Sequence, residues 1–193
     1  MDIKSIFSNY IELISNIFQE SESENLSTLF EHLESCFDNE GRIFLAGNGG
    51  SAAIANHAAT DLSKLSRNND LLNPISLVTN VSQITAHSND DGYENLFVLT
   101  AKNYKLNPHD VVIAISSSGN SKNIINLIKY SKKMGSKTFA LLGFDGGEAK
   151  EVADFPILIN SKNKYYGPVE DIHMMIFHLF THKIKADINE LNE

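Results

Sequence analysis

The chain of 193 residues has a single cysteine, and its 16 basic side chains are outnumbered by 24 acidic ones. No run reaches the roughly 18 apolar residues of a membrane span. Each shortage excludes something. Cys36 alone cannot close an internal disulfide, and nothing else calls for an oxidising compartment. The opening stretch MDIKSIFSNYIELISNIF breaks its apolar residues with acids and polar groups and has no small-residue cleavage site, so a cytoplasmic protein is expected rather than a secreted one. A formal net charge of -8 counts against a broad nucleic-acid surface, which needs clustered Lys and Arg to displace phosphate counterions. An anion would have to be held by a local device. The chain is 42% hydrophobic and 21% charged, which suits one globular domain with its own core and is too apolar for a disordered tail.

Apolar residues at Ile3, Ile6, Phe7, Tyr10, Ile11, Leu13, Ile14, Ile17 and Phe18 recur every three and four positions, the stripe of an amphipathic helix. Leu26, Leu29, Phe30, Leu33 and Phe37 predict a second helix over about Glu24 to Asp38. The face of this hairpin needs cover, from the rest of the chain or from another copy. After Gly41 short apolar runs alternate with helical stretches. Arg42–Ala46, Pro74–Val78, Val111–Ile115, Thr138–Leu142 and Phe155–Ile159 read as strands buried on both faces of a parallel sheet. Helices are expected from the glycine-rich turn to about Leu65, over Tyr93 to Tyr104, over about Asn120 to Met134 and from Val169 to about Ile188. The expected organisation is one α/β domain over 1–193: a helical hairpin for oligomerisation at 1–39, a core at 40–160 and a C-terminal helix within 168–190.

Ligands of doubly wound sheets bind beyond the carboxyl ends of the strands, where loops meet helix N-termini. Two junctions are equipped for this. In Gly47-Asn48-Gly49-Gly50-Ser51 the glycines allow positive φ and close backbone approach, and Ser51 can cap a helix or bond a ligand; a purely steric turn would look the same. Ser116-Ser117-Ser118-Gly119-Asn120-Ser121 sets four hydroxyls and an amide at a helix mouth, more than one cap requires, and reads as a phosphate site that needs no lysine. No Gly-Lys-Ser/Thr follows the glycines and the dinucleotide spacing is missing, so no nucleotide cofactor is expected.

His57 and Asp61 lie four apart on a predicted helix and therefore share a face. Such a pair can hold a metal or form a base with its orienting partner, and it can equally be a solvated surface pair. Glu170, Asp171, His173, His178 and His182 crowd the last helix among Met174, Met175, Ile176, Phe177, Leu179 and Phe180. A polar group in such a stretch is costly unless paired, and His178 draws most suspicion; a hydrogen-bonded core histidine is the alternative.

Together, GNGGSAAIANHAATD (Gly47 to Asp61), HSNDDGYENLF (His87 to Phe97), ISSSGNSKNI (Ile115 to Ile124), LLGFDGG (Leu141 to Gly147) and VEDIHMMIFH (Val169 to His178) resemble the sugar isomerase (SIS) domain family, and within it the phosphoheptose isomerases. The resemblance covers essentially the whole chain. It implies a three-layer sandwich around a five-stranded parallel flavodoxin-like sheet, and a homotetramer with active sites at subunit interfaces. It implies that Ser116, Ser117, Ser118 and Ser121 hold a sugar phosphate while Asn48, Gly49, Gly50, Ser51, Asn89, Asp90 and Glu170 contact substrate. The family's metal positions fall on His57, Asp61, Glu170 and His178, which suits Zn²⁺ or a similar divalent ion, and its proton-transfer pair falls on Asp61 and His178.

The chain departs from the family twice. Asp61 stands where a Glu is expected, one methylene shorter, and Glu170 stands where a neutral Gln is expected. The first shifts a carboxylate by about 1 Å, a displacement able to cost about 100-fold in rate. The implied reaction is conversion of sedoheptulose 7-phosphate to D-glycero-D-manno-heptose 7-phosphate through an enediol, on the way to a heptose-containing glycan such as lipopolysaccharide or capsule. The alternatives are a SIS protein that binds a phosphosugar without turning it over, as a regulator, and an isomerase of a different ketose phosphate.

Overall fold

The computed structural model describes residues 2–21, 24–67, 70–161 and 165–190. Helices α1 (Ile3–Gln19) and α2 (Glu24–Asp38) precede β1 (Arg42–Gly47) and α3 (Gly50–Leu62). A small antiparallel pair, β2 (Ser66–Arg67) with β3 (Asp70–Leu71), leads to β4 (Asn73–Ser76) and α4 (Val81–Asp90). A 3-10 turn at Tyr93–Asn95 then opens α5 (Leu96–Asn103), and the chain continues through β5 (Val111–Ser116), α6 (Lys122–Lys133), β6 (Lys137–Gly143), α7 (Gly147–Val152), β7 (Phe155–Ile159) and α8 (Tyr166–Glu190).

The apolar runs do form one parallel five-stranded sheet, in the order β4-β1-β5-β6-β7. Because side chains alternate along a strand, each run feeds two cores. Ile43, Leu45, Ile113, Ile115, Phe139 and Leu141 face one side, where Leu29, Leu33, Ile54, Ala58, Ile176 and Phe180 from α2, α3 and α8 cover them. Phe44, Ala46, Val112, Ala114, Ala140 and Leu142 face the other, against Leu96, Phe97, Ile124, Leu127 and Ile128 of α5 and α6. This is the expected three-layer α/β sandwich. At the amino ends of β1 and β5, the Asp110 carboxylate, with its side chain fully buried, takes Nε and Nη2 of Arg42 at 3.0 and 2.6 Å and locks the two central strands in register.

The strand order puts the topological switch point between β1 and β5: the chain leaves β1 outward to β4, then crosses back to β5. Their carboxyl ends deliver the two loops singled out above to one crevice. Boundaries move slightly. The strand expected at Pro74–Val78 is Asn73–Ser76, and the helix expected over Tyr93–Tyr104 splits into the 3-10 turn and α5. Helices α4 and α7 and the β2–β3 pair were not foreseen. Helix α4 is started by Asn80, whose side chain accepts from the Gln83 amide at 3.0 Å. That Asn-x-x-Gln spacing is a capping signal legible in the sequence.

Candidate active site

The serine loop is held open by backbone. Gly119 has φ 64, and a Cβ there would strike the carbonyl oxygen of Gly146. The Ala149 amide donates to Gly119 O at 2.9 Å, the Gly143 amide to Ser117 O at 3.0 Å, and the Glu148 amide to Asn120 Oδ1 at 3.1 Å. With its main chain tied to the β6–α7 turn, the loop turns Ser116, Ser117, Ser118 and Ser121 toward a cleft of about 160 Å³ that Asn48, Ser51, Tyr166 and Glu170 also line. Ser121 is the N-cap residue of α6, yet its hydroxyl makes no capping bond. The Ser117 hydroxyl is buried without a partner. A buried unpaired hydroxyl is costly, and an anion seated at two helix N-termini, α3 and α6, would satisfy it. Among the described residues no basic side chain lines the cleft.

In the glycine-rich loop, Gly49 has φ 55 and Gly50 opens α3; a Cβ on Gly50 would collide with the Glu170 carboxylate. Glu170 therefore rests on the first turn of α3, a favourable end of the helix for negative charge. Partial burial, and then the neighbouring Asp171, push its carboxyl above the usual carboxylate range. Asp171 in turn accepts from the Tyr10 hydroxyl at 2.6 Å, which ties α1 to α8.

Helices α3 and α8 pack along a seam that runs away from this cleft. Farther along it, His57, Asp61 and His178 bring one ligand atom each within 4.8 Å of the others. His57 Nε2 is 3.0 Å from His178 Nε2 and 3.0 Å from Asp61 Oδ2, and His178 Nε2 is 3.9 Å from that oxygen. Lys64 Nζ stands 3.6 Å from the other Asp61 oxygen. One imidazole nitrogen carries at most one proton, so His57 Nε2 cannot donate fully to both neighbours. A single cation between the three would satisfy them all. Tetrahedral bonds of about 2.0–2.1 Å place ligand atoms about 3.3 Å apart, within the spacing observed.

Glu170, expected in the same metal set, stands elsewhere. It lies eight residues earlier on α8, about 12 Å of helix axis, in the serine cleft. Asn89 and Asp90 are exposed at the end of α4 and bonded to each other at 2.7 Å; the cleft lining does not include them.

The histidine buried among the apolar residues of α8 is His173, not His178, whose side chain is 52% exposed. His173 is fully buried and its Nε2 lies 3.2 Å from Leu142 O. A carbonyl only accepts, so Nε2 carries the proton and Nδ1 is left buried without a partner. Burial pushes its pKa down to about 4, keeping the ring neutral. Three further residues escaped the sequence reading: Tyr166 in the serine cleft, and Asn123 and Tyr93, which bond Asn48. Asn123 left a trace as a polar residue four before Leu127 on the apolar stripe of α6, and Tyr93 as part of the stretch His87 to Phe97.

A doubly wound sheet with a serine-lined cleft at its switch point is the arrangement of a SIS-domain protein, and the SIS domain family model matches residues 7–143. The phosphoheptose isomerase of Helicobacter pylori (strain P12) is 38% identical over 164 residues, 83% of this chain and 81% of that protein. The solved phosphoheptose isomerase of Neisseria gonorrhoeae superposes with a TM-score of 0.82 at 28% identity, over 95% of this chain and 97% of that one. One from Francisella tularensis has the same fold, with a TM-score of 0.83 at 24% identity over 94% and 95%. The chain belongs to the phosphoheptose isomerase family of SIS-domain proteins.

Proposed function

We propose that this chain is an aldose–ketose isomerase that converts sedoheptulose 7-phosphate to D-glycero-D-manno-heptose 7-phosphate. The observation that carries the reading is the convergence of His57, Asp61 and His178 on the seam whose other end opens into the serine cleft. A module that only binds phosphosugars has no use for two imidazoles and a carboxylate so placed. The name carried by the relatives supplies the substrate.

Ser116, Ser117, Ser118 and Ser121, with the amides at the start of α6, grip the phosphate. Asn48, Gly49, Gly50, Ser51 and Glu170, with Asn89 and Asp90, serve the sugar. Of Asp61 and His178, one takes the C1 proton beside the carbonyl of the open-chain ketose and the other delivers a proton to the C2 oxygen. The enediol then takes a proton at C2 and loses one from the C1 oxygen, giving the aldose. His57, Asp61 and His178 would hold a divalent ion such as Zn²⁺, which when bound supplies electrophilic polarisation of the carbonyl. No nucleotide cofactor enters.

Two features support a homotetramer with active sites at subunit interfaces. The side chains of His57 and His178 are 47% and 52% exposed. Ile3, Ile6, Phe7 and Ile11 of α1, with Met175 and Leu179 of α8, are large apolar residues open to solvent. The hairpin at 1–39 and the C-terminal helix would then serve assembly around the 40–160 core. Among the described residues no helix is long and apolar enough to cross a membrane, and the cytoplasm, where heptose phosphates would be made, is the proposed location.

The test is to incubate the protein with sedoheptulose 7-phosphate and a panel of other ketose phosphates, following aldose formation and solvent deuterium incorporation by NMR. Asp61→Asn and His178→Ala should each cost about 100-fold or more. Unchanged turnover in both would overturn the residue roles. Binding of the phosphosugar without exchange in the parent protein would overturn the activity.

A further inference from the structure

Asn48 is not free to choose what it offers a ligand. It forms a reciprocal amide pair with Asn123: Asn48 Nδ2 donates to Asn123 Oδ1 at 3.0 Å, and Asn123 Nδ2 donates back to Asn48 Oδ1 at 2.9 Å. Asn123 is 2% exposed, and its Oδ1 also accepts from the backbone amide of Ile124 at 2.9 Å. An amide N–H can only donate, so that contact fixes which end of the Asn123 side chain is oxygen, and the pairing fixes Asn48 in turn. Tyr93, from the 3-10 turn, gives its hydroxyl proton to the same Asn48 Oδ1 at 2.7 Å. Both lone pairs of Asn48 Oδ1 are then used and one of its two N–H groups is used; a single N–H remains.

Asn48 forms the wall between two hollows. On one side is the serine cleft; on the other is a cleft of about 280 Å³ lined by Tyr93, Glu94, Ser121, Lys122 and Asn123. The Tyr93 turn is itself fastened to α6, since Asn126 Nδ2 donates to Glu94 O at 3.0 Å.

We propose that Asn123 and Tyr93 are positioning residues that lock the Asn48 amide as a donor-only contact, so that this wall accepts a substrate hydroxyl or carbonyl oxygen and rejects a group that can only donate, such as an ammonium. The proposal rests on the reading of the serine cleft as a phosphosugar site and adds the chemistry by which the sugar is read. The serine loop's own side-chain bonds, to the Gly119 and Asn120 amides, involve neither Tyr93 nor Asn123; the Ile124 amide is shared, donating to Ser121 O at 3.1 Å as well as to Asn123 Oδ1.

The experiment compares the parent with Tyr93→Phe, which removes one bond from a residue 51% exposed, and with Asn123→Leu, which removes the amide pair and keeps a side chain branched at the same carbon. Binding of sedoheptulose 7-phosphate and of inorganic phosphate is measured by calorimetry, and turnover separately. Expected is a loss of about fivefold in sugar-phosphate affinity for Tyr93→Phe and more for Asn123→Leu. Inorganic phosphate should bind within twofold of the parent in both, and KM should rise more than kcat falls. Equal weakening toward inorganic phosphate would mean general loosening of the loop and overturn the clamp, as would unchanged affinity for the sugar phosphate in a folded Tyr93→Phe protein. Because affinity is read without turnover, a parent that binds but does not isomerise overturns the proposed activity and leaves the clamp standing. A parent that binds no sugar phosphate overturns both.

Discussion

His57 and His178, 121 positions apart in the chain, bring their Nε2 atoms to 3.0 Å of each other across the α3–α8 seam. Two neutral imidazoles at that distance share one proton or one cation, and Asp61 beside them supplies the charge that favours a cation. Protein prepared without chelator should therefore carry about one divalent ion per chain by elemental analysis. His57→Ala and His178→Ala should each abolish stoichiometric loading, and Glu170→Gln should leave it intact, because that carboxylate rests on Gly50 in the serine cleft.

Ser117→Ala should separate stability from binding. The hydroxyl is buried without a partner, so its removal leaves thermal stability unchanged or raises it by about 1 kcal/mol. The same change should weaken phosphate binding by about tenfold, since a donor to a charged oxygen is lost. Calorimetry and a melting curve on one preparation read both signs.

His173 sets an acid limit. Its folded-state pKa, about 4, lies below the ordinary histidine value of 6.5, so the unfolded chain takes up a proton first as pH falls. The contribution is fully present above pH 6.5 and is lost as pH falls to about 4, a total loss of roughly 3 kcal/mol. Melting temperature should fall over that window in the parent, and His173→Gln should flatten the slope while being less stable at neutral pH.

Gly119→Ala should destabilise the protein by about 2 kcal/mol or more, because φ is 64 and the added methyl meets the Gly146 carbonyl. Phosphate affinity should fall with stability, in contrast to Ser117→Ala. A normal melting temperature for this variant would mean that the loop is not held against the β6–α7 turn.

The sheet was legible because Val111–Ile115 and its companions are continuous apolar runs, a pattern that only strands covered on both faces need. The serine loop was legible because four hydroxyls and an amide in succession exceed what one cap requires, whereas the glycine-rich loop alone reads equally as a steric turn. Helix α4 was missed because its residues carry no apolar stripe and none of them is buried; only the Asn80 cap marks it. Burial in α8 fell to His173 and not to His178 although the residues around both are equally apolar. Which of them points inward depends on the angle at which the helix lies on the sheet, and that is a tertiary fact. The family resemblance placed Glu170 with the histidines, and spacing gave Asn123 no role, because pairings across α3, α6 and α8 are set by packing, not by spacing along one helix.

Helix α8 carries Glu170 at the serine cleft, His173 against β6 and His178 opposite His57, all on one uninterrupted run from Tyr166 to Glu190. Substitutions there act one position at a time, but an insertion or deletion does not. Removing a single residue between Glu170 and His178 would change the phase of everything beyond it by about 100°. It would leave composition and helix content almost untouched while putting Glu170 and His178 out of step with each other and so with their partners. Tolerance of length changes in this segment should accordingly be far lower than its tolerance of amino-acid replacement.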